Sequence, residues 1–365
     1  MEGKDYGQII QVSNSLRKYY GLPLYHDTDA KTDQWLEQNA CRCVVAILID
    51  GMGTSVMKKH LPEYHFFPKH TVKEITTVFP PTTSAATTSF RTGKSPIENA
   101  WLGWNQYFPE LDDNLILFRS QSQYTDVLYP EFISRTIPYK DMVQELQEKG
   151  IRSESIWPSW SPLHPCDSYA GELKMAEHYI KQNETRFVYV YWDALDTLMH
   201  KEGPSSKEAG EMLRQIERET EQFAKRLPED CGMMVIADHS QIDIHQKDLE
   251  AETELCSCFL HEPALEPRAI SFTIREGKKT EFKERFHKLY GKEYHLYTHD
   301  EVMQKQLFGT GTPHPRSEAF IGDYLAVAVS DLQLFYKKGF GKKGDHAGGL
   351  KEEACIPLIL YTNNK

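Results

Sequence analysis

Three apolar runs in this sequence end in acid, and a fourth stretch sets hydroxyls where an anion would bind. Residues 44–49, VVAILI, lead into Asp50-Gly51-Met52-Gly53. Residues 187–192, FVYVYW, lead into Asp193 and then Asp196 and His200. Residues 232–237 lead into Asp238-His239. Asp196 and His200 stand at i and i+4, so on a helical turn they share a face and can grip one ion, although a surface ion pair has the same spacing. Asp193 lies nearer the strand and ranks below them as a ligand. The loop Gly344-Asp345-His346-Ala347-Gly348-Gly349 presents one more imidazole, its glycines allowing a tight turn. The hydroxyl stretch is residues 79–93, FPPTTSAATTSFRTG. Its prolines favour extended chain, after which Thr82, Thr83 or Ser84 suits the N-cap of a short helix over 85–90 whose first N–H groups are free to bind an anion.

Taken together, Asp50, Asp196, His200, Asp238, His239 and His346 supply three carboxylates and three imidazoles, with Thr83 as a free hydroxyl. Two three-ligand sites with open positions are what catalytic zinc requires. Two such ions about 4 Å apart can clamp the attacking and leaving oxygens of an in-line displacement. Two divalent cations against three carboxylates leave a charge of about +1, which draws in a phosphoryl group and makes the Thr83 alkoxide accessible. An aspartate after one strand is ordinary turn or capping chemistry. The same arrangement after three strands is not explained that way.

The elements that must position these groups read as an α/β fold. Continuous apolar runs suit strands buried on both faces of a parallel sheet, and in open sheets of this kind ligands bind beyond the carboxyl ends of the strands. The expected architecture is a doubly wound, mostly parallel sheet with an inserted α+β cap subdomain. Residues 1–36 form a helical lead-in with Ile9, Ile10, Val12 and Leu16 on an apolar face; residues 37–240 form the first part of the core. Residues 241–343 form the cap, with strands at 268–275 and 324–330 and helices at 280–289 and 301–307, Asp300 capping the last. Residues 344–365 complete the core with a strand at 356–361. Further helices are expected at 138–149, with Pro138 in its first turn, and at 207–227. A strand is expected at 151–157, followed by a proline-bounded loop holding His164, to which no partner is assigned. Within the aromatic region 95–135, Trp101 or Trp104 is a possible wall for a ring-bearing substrate, packing being the plainer role.

Composition bounds the partners. The chain has 365 residues, 40% hydrophobic and 26% charged, with a formal net charge of −11, which argues against binding a nucleic-acid polymer. No apolar run approaches the roughly 20 residues that span a bilayer, and the start MEGKDYGQII lacks a signal-peptide core, so a cytoplasmic location without a membrane partner is expected. Seven cysteines, an odd number, suit a reducing compartment. The pairs Cys41/Cys43 and Cys256/Cys258 have C-x-C rather than zinc-ribbon spacing and read as incidental thiols.

In order and spacing these motifs resemble the alkaline phosphatase superfamily, and within it the type I phosphodiesterase/nucleotide pyrophosphatase branch. The resemblance rests on Asp50 in LIDGMG, on Thr83 ten residues before the glycine of Thr92-Gly93, on Asp196–His200 followed by Gly203-Pro204, on Asp238-His239, and on Gly344-Asp345-His346-Ala347. It implies an alkaline phosphatase-like fold. It also implies that Asp50, Asp238 and His239 hold one zinc ion together with Thr83, and that Asp196, His200 and His346 hold the other, manganese being the alternative metal. Thr83 would attack phosphorus in a small, nucleotide-like phosphoester and form a phospho-threonine adduct that water releases. Ala86 stands where the pyrophosphatases carry an asparagine that binds a phosphoryl oxygen; the backbone N–H groups of Thr83 and Ser84, or Asn105, are the available substitutes. The Ser84-Ala85-Ala86 context is similar to that of monoesterases, so a phosphomonoesterase or phosphosugar mutase is the alternative activity. A non-catalytic metal- or nucleotide-binding protein is the alternative from another class. No Cys-x-Pro-x-Arg signature of a sulfatase is present.

Overall fold

The β-branched and aliphatic run forms a fully buried strand, Cys43–Ile49, at the centre of a seven-stranded sheet. The computed structural model describes residues 6–161 and 165–363; His164 lies outside them. Phe187–Trp192 and Cys231–Ile236 flank the central strand in parallel. Ser153–Pro158 and Pro165–Cys166 extend the sheet on one side, Cys355–Thr362 and Thr71–Thr76 on the other. Cys355–Thr362 runs antiparallel to both its neighbours, so the sheet is mostly rather than wholly parallel. Helices Tyr169–Lys181 and Lys207–Ala224 pack their apolar residues, among them Leu173, Ile180, Leu213, Ile216 and Phe223, into the core around this sheet.

Register is what matters for the site. Ile49 pairs with Trp192, and Leu48 with Ile236. The three strands therefore end level, and the acidic residues that follow them emerge at one edge. The backbone N–H of Asp50 donates to Trp192 O at 2.9 Å, which continues the ladder into the site.

A second seven-stranded sheet is antiparallel, with the strand order Tyr294–Thr298, Tyr324–Ala328, Ala269–Phe272, Ala264–Glu266, Asn105–Phe108, Asp113–Ile116, Gln121–Ser122. Its faces obey the two-residue period of a strand: Leu325 and Val327 enter one apolar cluster, Tyr324, Ala326 and Ala328 another. Phe282, Phe286 and Tyr290 of the helix Lys279–Tyr290 belong to the second cluster. The sheet draws on residues 105–122 as well as on 264–328, a joining that the reading of 241–343 as the cap did not include.

Local capping chemistry moved several boundaries. The helix expected at 301–307 is His299–Gln304, capped by Thr298 in a reciprocal box with Glu301 rather than by Asp300. The helix expected from Pro138 starts at Met142, because the Asp141 side chain accepts from Gln144 N and Gln144 returns the bond. The lead-in forms two helices, Gln8–Tyr19 and Ala30–Asn39, and Ile9, Ile10, Val12 and Leu16 are buried as expected. Asn14 and Arg17 donate to the carbonyls of Gly93 and Thr92, so the lead-in satisfies the free end of the helix that carries Thr83. No helix among the described residues is long and apolar enough to cross a membrane.

Candidate active site

Thr83 is the first residue of the helix Thr83–Thr92, with Thr82 in the N-cap position. None of the three candidate hydroxyls caps this helix. Thr82 Oγ1 donates instead to Glu266, Thr83 Oγ1 faces Asp50 and His239, and Ser84 Oγ is buried without a partner among the described residues. The first-turn N–H groups are thus left uncapped by side chains, and the helix dipole adds positive potential there. Gly93, at φ 73°, ends the helix in the left-handed region, where an added Cβ would lie 2.5 Å from Arg17 Cδ.

The Thr83 hydroxyl oxygen lies 3.1 Å from His239 Nε2 and 3.3 Å from Asp50 Oδ2. His239 Nε2 is in turn 3.3 Å from Asp50 Oδ1 and 3.6 Å from Asp238 Oδ2. One donor atom from each of Asp50, Asp238 and His239 falls within 4.8 Å of the others, and the same holds for Asp196, His200 and His346. The two trios adjoin, because the His239 and His346 rings stack at 3.7 Å between centroids. Gly51 lets the chain turn between them: its φ is 73°, its N–H donates to Asp238 Oδ1, and a Cβ would meet Met199 and Asp196.

The donor atoms fit cations. Each imidazole directs Nδ1 at a backbone carbonyl, His200 at Gly344 O (2.8 Å), His346 at Pro81 O (3.0 Å) and His239 at Ser240 O (3.2 Å). In the tautomer that donates from Nδ1 to these carbonyls, the Nε2 lone pair of each ring is free for a cation, the arrangement of a ligating histidine. Asp238 Oδ1 accepts from the N–H groups of Gly51 and His239, while Oδ2 is buried with no hydrogen-bond partner among the described residues. Burial, then the nearby Asp238 and Asp196, pushes the Asp50 carboxyl well above the usual range. Burial works against the ionised Asp196 too, but His200 and His346 outweigh it and hold its carboxyl low. Three carboxylates this close call for compensating positive charge.

Further residues support the trios. The Tyr191 hydroxyl donates to Asp50 Oδ2 and the Gln241 amide to Asp196 Oδ1. Asp193, ranked low from sequence, accepts from Trp160 Nε1 at 2.7 Å and belongs to neither trio. Thr83, Asp196, His200 and His346 open onto a cavity of about 350 Å³ between the site and the second sheet.

Of the expected substrate contacts, Trp104 and Asn105 line this cavity, and Asn105 anchors itself through Nδ2 to Leu265 O at 3.1 Å. Trp101 does not reach it. Its indole is buried against Phe118 and Tyr139, donates to Ile137 O and belongs to the apolar cluster that holds Leu325 and Val327 of the second sheet. The Ser84 side chain does not line the cavity either. Glu266, Tyr124, Tyr336 and Lys342, none of them singled out from sequence, do line it. Burial pushes the Glu266 carboxyl up to about 7 against the opposing hydrogen bond from Thr82. Nothing in its local sequence, ALEP, distinguishes it from a surface glutamate.

No curated protein matches the sequence. Among solved structures, human ectonucleotide pyrophosphatase / phosphodiesterase 5 superposes with a TM-score of 0.69 at 16% identity, 87% of each chain being covered. An inactive variant of the murine protein in complex with AMP gives 0.68 at 16% identity over the same shares. Phosphonoacetate hydrolase from Sinorhizobium meliloti 1021, in complex with phosphonoacetate, gives 0.64 at 12% identity over 88% of this chain and 90% of that one. These likenesses establish the alkaline phosphatase-like fold. The model of the type I phosphodiesterase / nucleotide pyrophosphatase family matches residues 44–347. The chain therefore belongs to the type I phosphodiesterase / nucleotide pyrophosphatase family of the alkaline phosphatase superfamily.

Proposed function

We propose that this protein is a two-metal hydrolase that cleaves phosphodiester or pyrophosphate bonds of small, nucleotide-like phosphoesters, with Thr83 as nucleophile. The observation that carries the reading is the position of Thr83 Oγ1 at an uncapped helix N-terminus, 3.1 Å from His239 Nε2, beside two acid–imidazole trios. The AMP bound to the inactive threonine-to-alanine variant of the murine relative supports a nucleotide-like substrate and a threonine role.

In this reading Asp50, Asp238 and His239, with Thr83, hold one ion, and Asp196, His200 and His346 hold the other. The mixed carboxylate and imidazole donor set suits zinc, with manganese as the alternative. Bound ions would supply the positive charge that stabilises the Thr83 alkoxide and the charge developing on the phosphoryl oxygens. Thr83 Oγ1 attacks phosphorus in line with the leaving oxygen, and the phosphoryl group becomes esterified to Thr83. The N–H groups of Thr83 and Ser84 at the helix start offer hydrogen bonds to a non-bridging oxygen, the role for which Ala86 provides no side chain. The leaving alcohol or phosphate departs and water then cleaves the phospho-threonine. The seven cysteines are free thiols, which supports a reducing compartment, the cytoplasm.

Ala86 favours a second reading, a phosphomonoesterase or phosphosugar mutase. One assay separates them: rates on bis-p-nitrophenyl phosphate and p-nitrophenyl phosphate, with Thr83→Ala as the blank. Faster diester cleavage that vanishes in the blank supports the first reading, and faster monoester cleavage the second. Silence on both substrates contradicts a phosphoester hydrolase and leaves a mutase or a non-catalytic binder.

A further inference from the structure

The cavity beside Thr83 contains an acidic side chain that neither trio uses. Glu266 is 6% exposed and lines the cavity at the end of the strand Ala264–Glu266. Its Oε1 accepts from the Thr82 hydroxyl and from the Trp104 N–H at 2.7 Å. These two donors come from different parts of the chain, and together they fix the plane of the carboxyl group. Oε2 accepts no hydrogen bond from the described residues. No Lys, Arg or His among those residues lies within ion-pair distance of Glu266. The two lysines that line the same cavity are engaged elsewhere, Lys338 with Asp126 at 2.9 Å and Lys342 with Asp345 at 3.2 Å.

A substrate that docks its phosphoryl group at Thr83 must place its organic portion along this wall. There it meets an acceptor that cannot turn away, in a cavity also lined by Trp104, Tyr124 and Tyr336. An apolar group would desolvate Oε2 without replacing its water, and a second anion would bring acceptors to a wall that already lacks a donor. A donor on the substrate satisfies the acceptor, and sites built around such a bond reject analogues that lack it.

We propose that Glu266 is a specificity-determining residue that selects phosphoesters whose alcohol portion carries a hydrogen-bond donor, an ammonium or hydroxyl group. The proposal rests on the reading of Thr83 as the phosphoryl-transfer centre. Glu266→Gln tests it with little change of shape. The amide oxygen would keep the bonds from Thr82 and Trp104, so the NH2 group would turn to the cavity and replace an acceptor by a donor.

The experiment is calorimetric binding of two methylphosphonate monoesters of equal size, 2-aminoethyl and propyl, to zinc-loaded Thr83→Ala protein, with and without Glu266→Gln. The aminoethyl ester should bind about tenfold or more tightly than the propyl ester, as one charge-assisted hydrogen bond warrants, and Glu266→Gln should abolish that preference. Equal or undetectable binding of both esters, or a preference that survives Glu266→Gln, overturns the role of Glu266. Turnover of 2-aminoethyl p-nitrophenyl phosphate, a diester that carries the donor, by the unsubstituted enzyme is scored separately. Turnover with equal binding overturns only the specificity role; selective binding without turnover overturns the diester-hydrolase reading and leaves the selectivity standing.

Discussion

Arg268 and Glu353 form a bidentate ion pair with neither side chain exposed, Nε to Oε1 at 2.8 Å and Nη2 to Oε2 at 3.0 Å. Arg268 immediately precedes a strand of the second sheet, and Glu353 precedes the last strand of the first. The Glu353 carboxylate also accepts from the N–H groups of Gly348 and Leu350, and its backbone carbonyl from Ser240 N. One residue thus ties the second sheet to the loop of His346 and to the residue after His239. Arg268→Met leaves a buried carboxylate without its cation and should cost about 3–5 kcal/mol in urea unfolding. Arg268→Met with Glu353→Leu should recover part of that loss. A single variant as stable as the parent would show that the pair does not join the two sheets.

Tyr191→Phe removes the hydroxyl that donates to Asp50 and leaves the ring in place. Loss of a partner that orients a metal ligand typically weakens the metal by about 10–100-fold. Competition with a chelator of known affinity should show a shift in that range for one ion and not for the other. Unchanged affinities would mean that Asp50 needs no orientation from Tyr191.

Thr83→Ala and His346→Ala should separate chemistry from metal binding. Thr83→Ala should lack turnover, yet elemental analysis should find both ions in it, because Asp50, Asp238 and His239 remain. His346→Ala breaks the other trio and should lose one ion, with added zinc restoring part of the activity. Loss of either ion from Thr83→Ala would contradict this division of roles.

Glu172 gives a pH dependence unrelated to catalysis. Both its carboxylate oxygens are buried without a partner among the described residues, and burial pushes its carboxyl from 4.5 up to about 9. Between those values the folded protein keeps a proton that the unfolded chain releases, so stability falls as pH rises. One such group contributes up to about 1.4 kcal/mol per pH unit across that window. Glu172→Gln should flatten the decline in urea stability between about pH 6 and about pH 8. An equal decline in parent and variant would place the proton elsewhere.

The sequence showed most clearly the features that depend on continuous runs. The buried strands at 44–49, 187–192 and 232–237 were legible because a sheet covered on both faces needs unbroken apolar residues, and their ends therefore located Asp50, Asp196 and Asp238. What escaped it depends on chain segments far apart. Asn105 pairs with Leu265 across the second sheet, and only that pairing brings Trp104 and Glu266 to one cavity. Thr82 suited a helix cap by composition, but the long-range bond to Glu266 took its hydroxyl away. Trp101 and Trp104, three residues apart, looked equivalent as wall residues, and only the path of the backbone between them sends one inside and the other to the cavity.

The most direct measurement is mass spectrometry of zinc-loaded protein mixed with bis-p-nitrophenyl phosphate and quenched in acid within a turnover. Attack by Thr83 predicts a p-nitrophenyl phosphoryl adduct on the peptide containing Thr83, formed with release of one p-nitrophenolate and absent from Thr83→Ala. Full turnover with that peptide unmodified, or an adduct on another residue, would contradict the account.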